Sequence, residues 1–364
     1  MKTAFYTIAD LGDYSNLKSP ESLGIINALD NPIVYCRSYK GKNPNYKPLF
    51  SKKIHPMLYS FLGKRDKANK IMDKKAKLEN VDTAIFMSGN FEETVNEYKD
   101  NGIKTIMIGT SGCGPAYDIF AEEEHQLFNL PYRNSLEQAR LLNKADYIIT
   151  YSNWFKELYI KNGFPEENIF LCPLGVDIEK FKPGKKEDKV FRVVCVADFQ
   201  LMKGLQYLLS AWDSLDLWNA ELVLVGNKPD YMKKIIGERE DIKLVKHTSP
   251  LPYYQNASLF VLPSLSEGSS RVMYEAMACG IPVLVTDNCG PIIIDRDKTF
   301  GIVNKDNGKI VPIKDSYALA DAIRWFYDNK LRAQQLGRNA REHIKKFTWE
   351  NYTNRIKEIL KKIK

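Results

Sequence analysis

Two glutamates eight positions apart, Glu267 and Glu275, flank a turn of small and polar residues, Gly268-Ser269-Ser270-Arg271. The turn follows an apolar run, Ser258 to Leu262, that predicts a buried strand ending at Pro263, which has no N–H for a ladder bond. Beyond the turn, Met273 to Cys279 are good helix formers, Gly280 suits the helix end, and Pro282 and Val283–Val285 open the next strand. The pattern is strand, Ser/Gly turn, helix, strand. Ser269 or Ser270 can cap the helix, and a helix start with unpaired N–H groups is a site for anions. Eight helical steps would put about 12 Å of rise between the carboxylates, wider than the roughly 5–9.5 Å that suits two carboxyls working on one glycosidic bond. That spacing suits gripping the two ends of an extended ligand with an anion between them, as in a nucleotide sugar.

Glu267-x7-Glu275 followed by Ala276-Met277-Ala278-Cys279-Gly280-Ile281-Pro282-Val283, with Pro263-Ser264 before it, resembles the signature of retaining GT-B glycosyltransferases of the large family 4 group. The resemblance implies two Rossmann-like domains facing across a cleft, with a C-terminal helix crossing back to the first domain. It implies a nucleotide diphosphate sugar as donor substrate, no separate cofactor and no bound metal. Glu267 would hold hydroxyls of the transferred sugar and Glu275 the ribose. A second match lies in Lys203-Gly204, after the predicted strand Val190–Val196, where the family places a lysine against the diphosphate. The family's arginine just before it is replaced by Asp198; Arg271 is the candidate to supply the missing charge. Catalytic expectations therefore fall on Glu267, Lys203 and Arg271, and donor contacts on Glu275, Gly268, Ser269, Ser270 and Gly204, with His247 or Thr248 skirting the base. Gly12, in the loop after the first strand, is a candidate on the acceptor side, and His125, in the run Ala121-Glu122-Glu123-Glu124-His125 read as the acidic start of a helix, is a candidate base or acceptor contact. Thr110–Pro115, with two glycines, could line the cleft.

The elements that must position these groups recur along the chain. Short apolar runs at Thr3–Ala9, Pro32–Cys36, Ala84–Met87, Lys104–Gly109, Tyr147–Thr150 and Asn168–Cys172 alternate with helical stretches and predict a parallel sheet covered by helices. Ser152 and Thr348 are predicted helix caps. Gly175-Val176-Asp177 and Phe181-x-Pro183 lead into a linker in the resembling family, and Trp349 marks its crossing helix. The expected division is residues 1–184, acceptor side; 185–346, nucleotide-sugar side; and 347–364, the returning helix.

The chain of 364 residues is long enough for two cores, and it contains no run of about twenty apolar residues that would span a membrane. Its N-terminus turns polar too soon for a signal peptide. Six cysteines are dispersed without a Cys-x-x-Cys pair, which argues against zinc or a disulfide framework and for a reducing cytosolic setting. The net charge of +8 is concentrated at Lys64–Lys77 and Ile356–Lys364. Those segments are either solvated helix faces or surfaces for peripheral contact with anionic lipid. They lack the interleaved aromatics of a nucleic-acid platform. The expected function is transfer of a sugar from a nucleotide diphosphate to an acceptor hydroxyl on a glycan, a lipid-linked glycan or another molecule. The alternatives are a catalytically silent nucleotide-sugar-binding protein, which Asp198 keeps open, and an epimerase or hydrolase of the same shape.

Overall fold

The computed structural model of the protein describes residues 2–7, 10–12, 20–36, 38–40, 43–49, 73–76, 78–87, 91–109, 115–128, 144–227, 230–237, 239–246, 248–290, 292–295 and 298–363. Among them, the first lobe contains β1 (Thr3–Thr7), β2 (Asp10–Gly12), β3 (Ile33–Cys36), β4 (Ser38–Lys40), β5 (Tyr46–Pro48), β6 (Thr83–Met87), β7 (Lys104–Gly109), β8 (Tyr147–Thr150) and β9 (Ile169–Leu171). Seven of these form a parallel sheet in the order β5-β3-β1-β6-β7-β8-β9, and β2 pairs with β4 apart from it. Strands β1 and β6 are buried along their whole length, as expected where helices cover both faces of a parallel sheet. The first-lobe helices are α1 (Pro20–Ala28), α2 (Glu92–Asp100), α3 (Pro115–Leu127) and α4 (Asn153–Lys161). Ser152 caps α4 by accepting from Phe155 N at 3.3 Å.

The second lobe is a parallel sheet of β10 (Phe191–Val196), β11 (Ala220–Val225), β12 (Ile242–Val245), β13 (Leu259–Leu262), β14 (Val283–Thr286) and β17 (Gly308–Val311), ordered β12-β11-β10-β13-β14-β17. Counted from its first strand this is order 3-2-1-4-5-6, the doubly wound dinucleotide-binding arrangement. An antiparallel hairpin, β15 (Ile292–Asp295) and β16 (Lys298–Gly301), stands outside the sheet. The helices are α5 (Leu205–Asp213), α6 (Asp230–Ile236), α7 (Leu251–Gln255), α8 (Arg271–Ala278), α9 (Ser316–Asp328) and α10 (Lys330–Ile344).

The chain crosses between the lobes twice, and the crossings lie side by side. Val176 N donates to Phe347 O at 2.9 Å, while Arg341 ties down the outgoing segment through the carbonyls of Ile178 and Phe181 and the end of α8 through Ala278 O. The final helix, α11 (Trp349–Lys362), is capped by Thr348 and buries Tyr352, Ile356, Ile359 and Leu360 on one stripe. It lies against α1, where Gly24 makes the approach feasible: a Cβ there would stand 2.5 Å from the Tyr352 ring. With that stripe spent inside the protein, α11 offers solvent its lysines and no apolar face. Of the other basic run, Lys64–Lys77, only residues 73–76 are described. No described helix is long and apolar enough to cross a membrane. The five described cysteines are buried free thiols.

Candidate active site

In an open α/β sheet the binding crevice lies beyond the carboxyl ends of the strands, where the order reverses. In the second lobe that point is between β10 and β13. The loop after β10 ends in a 3-10 turn, Leu201–Lys203, and the loop after β13 runs from Pro263 to Ser270. Two contacts join them. Leu265 N donates to Met202 O at 2.9 Å. Gly204, at φ 67°, lies so close to the Pro263 carbonyl that a Cβ would stand 2.0 Å from its oxygen; only glycine fits both that conformation and that gap.

This junction brings Lys203 Nζ into an ion pair with Glu267 Oε1, both side chains being largely shielded. Ser264 Oγ donates to the same carboxylate oxygen at 3.3 Å. Asn288, beyond β14, fixes the loop from the other side: its carbonyl accepts from Glu267 N at 3.0 Å and its side-chain amide donates to Leu265 O at 2.8 Å. Lys203 and Glu267 thus stand at the switch point, held by three separate strand ends.

The helix that follows starts at Arg271, earlier than the run of helix formers suggests. Arg271 is therefore the first helical residue and not part of the turn. Only the last four of the eight steps from Glu267 to Glu275 are helical, so the 12 Å rise estimated for a continuous helix does not apply. Ser270 occupies the capping position in an extended conformation, but its hydroxyl makes no capping bond; Ser269 Oγ instead donates to Tyr274 OH at 3.4 Å. The first-turn amides of α8 thus receive no side-chain acceptor from the capping residue, the condition in which a helix start takes an external anion.

Arg271 extends across to the first lobe, its Nε 3.4 Å from Glu21 Oε1 near the start of α1. One turn along α8, Glu275 accepts from Tyr254 OH at 3.2 Å. Removal from water pushes the Glu275 carboxyl up to about 7, against the opposing pull of Arg271 and the tyrosine hydrogen bond. The same burial, with the neighbouring Glu275 charge, holds the Tyr254 phenol well above its ordinary value. Trp154 of α4 completes the junction, donating from Nε1 to Ser266 Oγ at 3.1 Å. The carboxyl ends of the two sheets therefore face each other across this site.

Other sequence candidates lie elsewhere or outside the described residues. Gly12 does not sit in a loop: it ends β2, paired to β4 in register with Lys40. His125 is not near a helix start. The acidic run occupies the second half of α3, and His125 Nδ1 lies 2.6 Å from Ala121 O of its own helix. His247 and residues 110–114 lie outside the described residues. Asp198 is exposed and accepts from Asn227 Nδ2 at 2.9 Å. Glu21, Tyr254, Asn288 and Trp154 were not singled out by the motifs; no local sequence signal marks Glu21 or Asn288.

Comparison with solved structures defines the class. The chain superposes over its whole length on sucrose-phosphate synthase from Thermosynechococcus elongatus (TM-score 0.68, 17% identity, 98% of that chain). It does so equally on Anabaena Alr3699/HepE in complex with UDP and glucose (TM-score 0.67, 16% identity, 100% of both chains). The fold is GT-B. Within that class, residues 176–343, which hold both conspicuous motifs, match the Glycosyl transferases group 1 family. The resemblance carried by Glu267–Val283 holds. Curated relatives include the capsular polysaccharide biosynthesis glycosyltransferase CapM of Staphylococcus aureus, 26% identical over 60% of this chain and 63% of its own. Another is the D-inositol 3-phosphate glycosyltransferase of Paenarthrobacter aurescens, 26% identical over 53% of this chain and 52% of its own. The chain thus spans less than two thirds of the length of these relatives.

Proposed function

We propose that the protein is a glycosyltransferase that moves a sugar, with retention of configuration, from a nucleotide diphosphate sugar to an acceptor hydroxyl in glycan or glycoconjugate synthesis. The observation that carries this reading is the convergence of Lys203, Glu267 and the start of α8 at the switch point of a doubly wound sheet. The diphosphate would lie against the first-turn amides of α8, its charge met by Lys203 and Arg271 without a metal. On binding, the Lys203 ammonium would be shared between Glu267 and phosphate oxygen. Glu275, with Tyr254 behind it, would accept the ribose hydroxyls, and Glu267 those of the sugar. In the reaction the bond from the anomeric carbon to the diphosphate breaks and a bond to the acceptor oxygen forms on the same face. The acceptor proton passes to the departing phosphate oxygen, so no separate protein base is required. The first lobe, residues 1–184 in this reading, would hold the acceptor, and 185–346 the donor.

A thermal-shift screen against UDP, GDP, ADP and their sugars, with and without chelator, tests donor binding. Release of nucleoside diphosphate from the selected donor then tests turnover. Removing one preorganised stabilising group at a developing charge costs about 10²–10³ in rate, the loss expected for Lys203→Ala. No stabilisation by any nucleotide would reject the reading. A second reading, a silent nucleotide-sugar-binding protein, rests on Asp198, a carboxylate where the family has its arginine. Tight donor binding with no release of diphosphate would favour it.

A further inference from the structure

We propose that Glu124, on α3 of the first lobe, is a positioning residue that sets the turn carrying Lys203, so that the donor site is completed only when the two lobes meet. The inference rests on the donor-site reading of Lys203 above. Glu124 has no solvent exposure, yet every partner described for its carboxylate belongs to the second lobe. Tyr207 OH donates to Oε1 at 2.7 Å and Gln206 Nε2 to Oε2 at 2.7 Å. Lys314 Nζ stands 3.4 Å from Oε1 while pairing at 2.6 Å with the neighbouring Glu123. A buried carboxylate is tolerable only with such partners; with the lobes apart, Glu124 would lose all three.

The link to the site runs through Gln206. Its amide nitrogen makes a second donation, at 3.0 Å, to Leu201 O, the first residue of the turn Leu201–Lys203. The other end of that amide, Oε1, is buried with no hydrogen-bond partner. The side chain therefore forgoes an acceptor bond to keep both donations, one to the first lobe and one to the lysine turn. Ala121, Met202 and Leu265 pack together around the link, with Phe120, Tyr207 and Ile313 against them, which keeps competing water from the carboxylate. Met202 belongs to the turn itself, and Leu265 lies two residues before Glu267. Lys314 adopts φ 59°, a left-handed conformation uncommon for a side-chain-bearing residue, in reaching Glu123 and Glu124. Acidic residues near a helix C-terminus are disfavoured by the helix dipole; here the ammonium of Lys314 offsets that placement.

The test uses the full-length protein and the nucleoside diphosphate selected from UDP, GDP and ADP, with calorimetric Kd, kcat and KM for donor hydrolysis, and Tm. If wild type binds none of the three, the functional reading fails, independently of this inference. Glu124→Gln keeps the shape and the acceptor for Tyr207 but weakens the hold on Gln206; Kd should rise about tenfold. The exchange E124Q with Q206E restores a hydrogen bond across the lobes, but the carboxylate that replaces the Gln206 amide has no N–H for the Leu201 carbonyl. Tm should therefore recover while Kd stays weak. Tyr207→Phe removes a bond to Glu124 without touching the turn, and should lower Tm while leaving Kd within about twofold. Should Glu124→Gln not fold, Gln206→Met, which removes both donations and leaves Glu124 paired to Tyr207 and Lys314, carries the same tenfold expectation. Nucleotide binding within about twofold of wild type in Glu124→Gln or Gln206→Met, or full recovery of Kd in the exchange variant, overturns the proposal.

Discussion

Arg271 and Glu21 face each other across the lobe junction, with Arg271 Nε 3.4 Å from Glu21 Oε1, although they are remote in sequence. The arginine is the first residue of α8, where the diphosphate is proposed to dock, and nearly half of its side chain remains exposed. A first-lobe carboxylate thereby holds the guanidinium beside the proposed diphosphate position.

Arg271→Ala is expected to abolish donor binding or turnover, and Arg271→Lys to recover only part, because a lysine lacks the planar fork that can serve a carboxylate and a phosphate together. Glu21→Gln keeps the arginine charge and should change KM more than kcat. Steady-state kinetics on the three variants checks this; near-normal parameters for Arg271→Ala would remove Arg271 from the donor site.

Glu275 supplies a pH test. Its folded-state carboxyl titrates at about 7 against an ordinary value of 4.5. A carboxyl raised on folding contributes stability that is fully present below its unfolded value and lost as pH rises through the folded one, here between about 4.5 and 7. The loss is on the order of 3 kcal/mol. Glu275→Gln should therefore flatten the decline in urea stability over that window. Nucleotide affinity should move the other way, tightening from about pH 6 to about pH 8 as the carboxylate ionises and can accept two ribose hydroxyls, and the glutamine variant should lose that dependence. An identical pH profile in wild type and variant would detach Glu275 from both effects.

Gly204→Ala tests the junction of the two loops. The added Cβ meets the Pro263 carbonyl and a left-handed φ together. The left-handed backbone costs roughly 1–2 kcal/mol and overpacking about 1–3 kcal/mol, so denaturant unfolding should show a loss of about 2–5 kcal/mol. A loss below about 1 kcal/mol would mean that the loops separate easily.

The second lobe was legible in the sequence because its signals are local. The runs Val193–Val196, Leu222–Val225, Leu259–Leu262 and Val283–Val285 are apolar strands, and Lys203-Gly204 and the turn before α8 lie in the loops after two of them. Strand order was not legible, since it depends on crossovers that no local pattern encodes. The polar pair β2 and β4 and the short edge strand β5 went unread for lack of apolar alternation. The acidic run before His125 suggested a helix start by the dipole rule, but α3 begins at Pro115, a residue favoured at the first helical position. Glu124 carries its charge at the wrong end of that helix because its partners, Gln206, Tyr207 and Lys314, come from the other lobe. Glu21 and Tyr254 escaped notice for the same reason: each meets its partner only in the folded chain.

The most direct measurement is a crystal structure with the nucleoside diphosphate that the binding screen selects. The account predicts the diphosphate at the start of α8, within hydrogen-bond distance of the backbone amides of its first turn and of Lys203 Nζ, with the ribose hydroxyls on Glu275. A nucleotide bound instead in the cavity of about 530 Å³ lined by Phe191, Ile281, Phe326 and Arg338, with the turn before α8 left untouched, would contradict it.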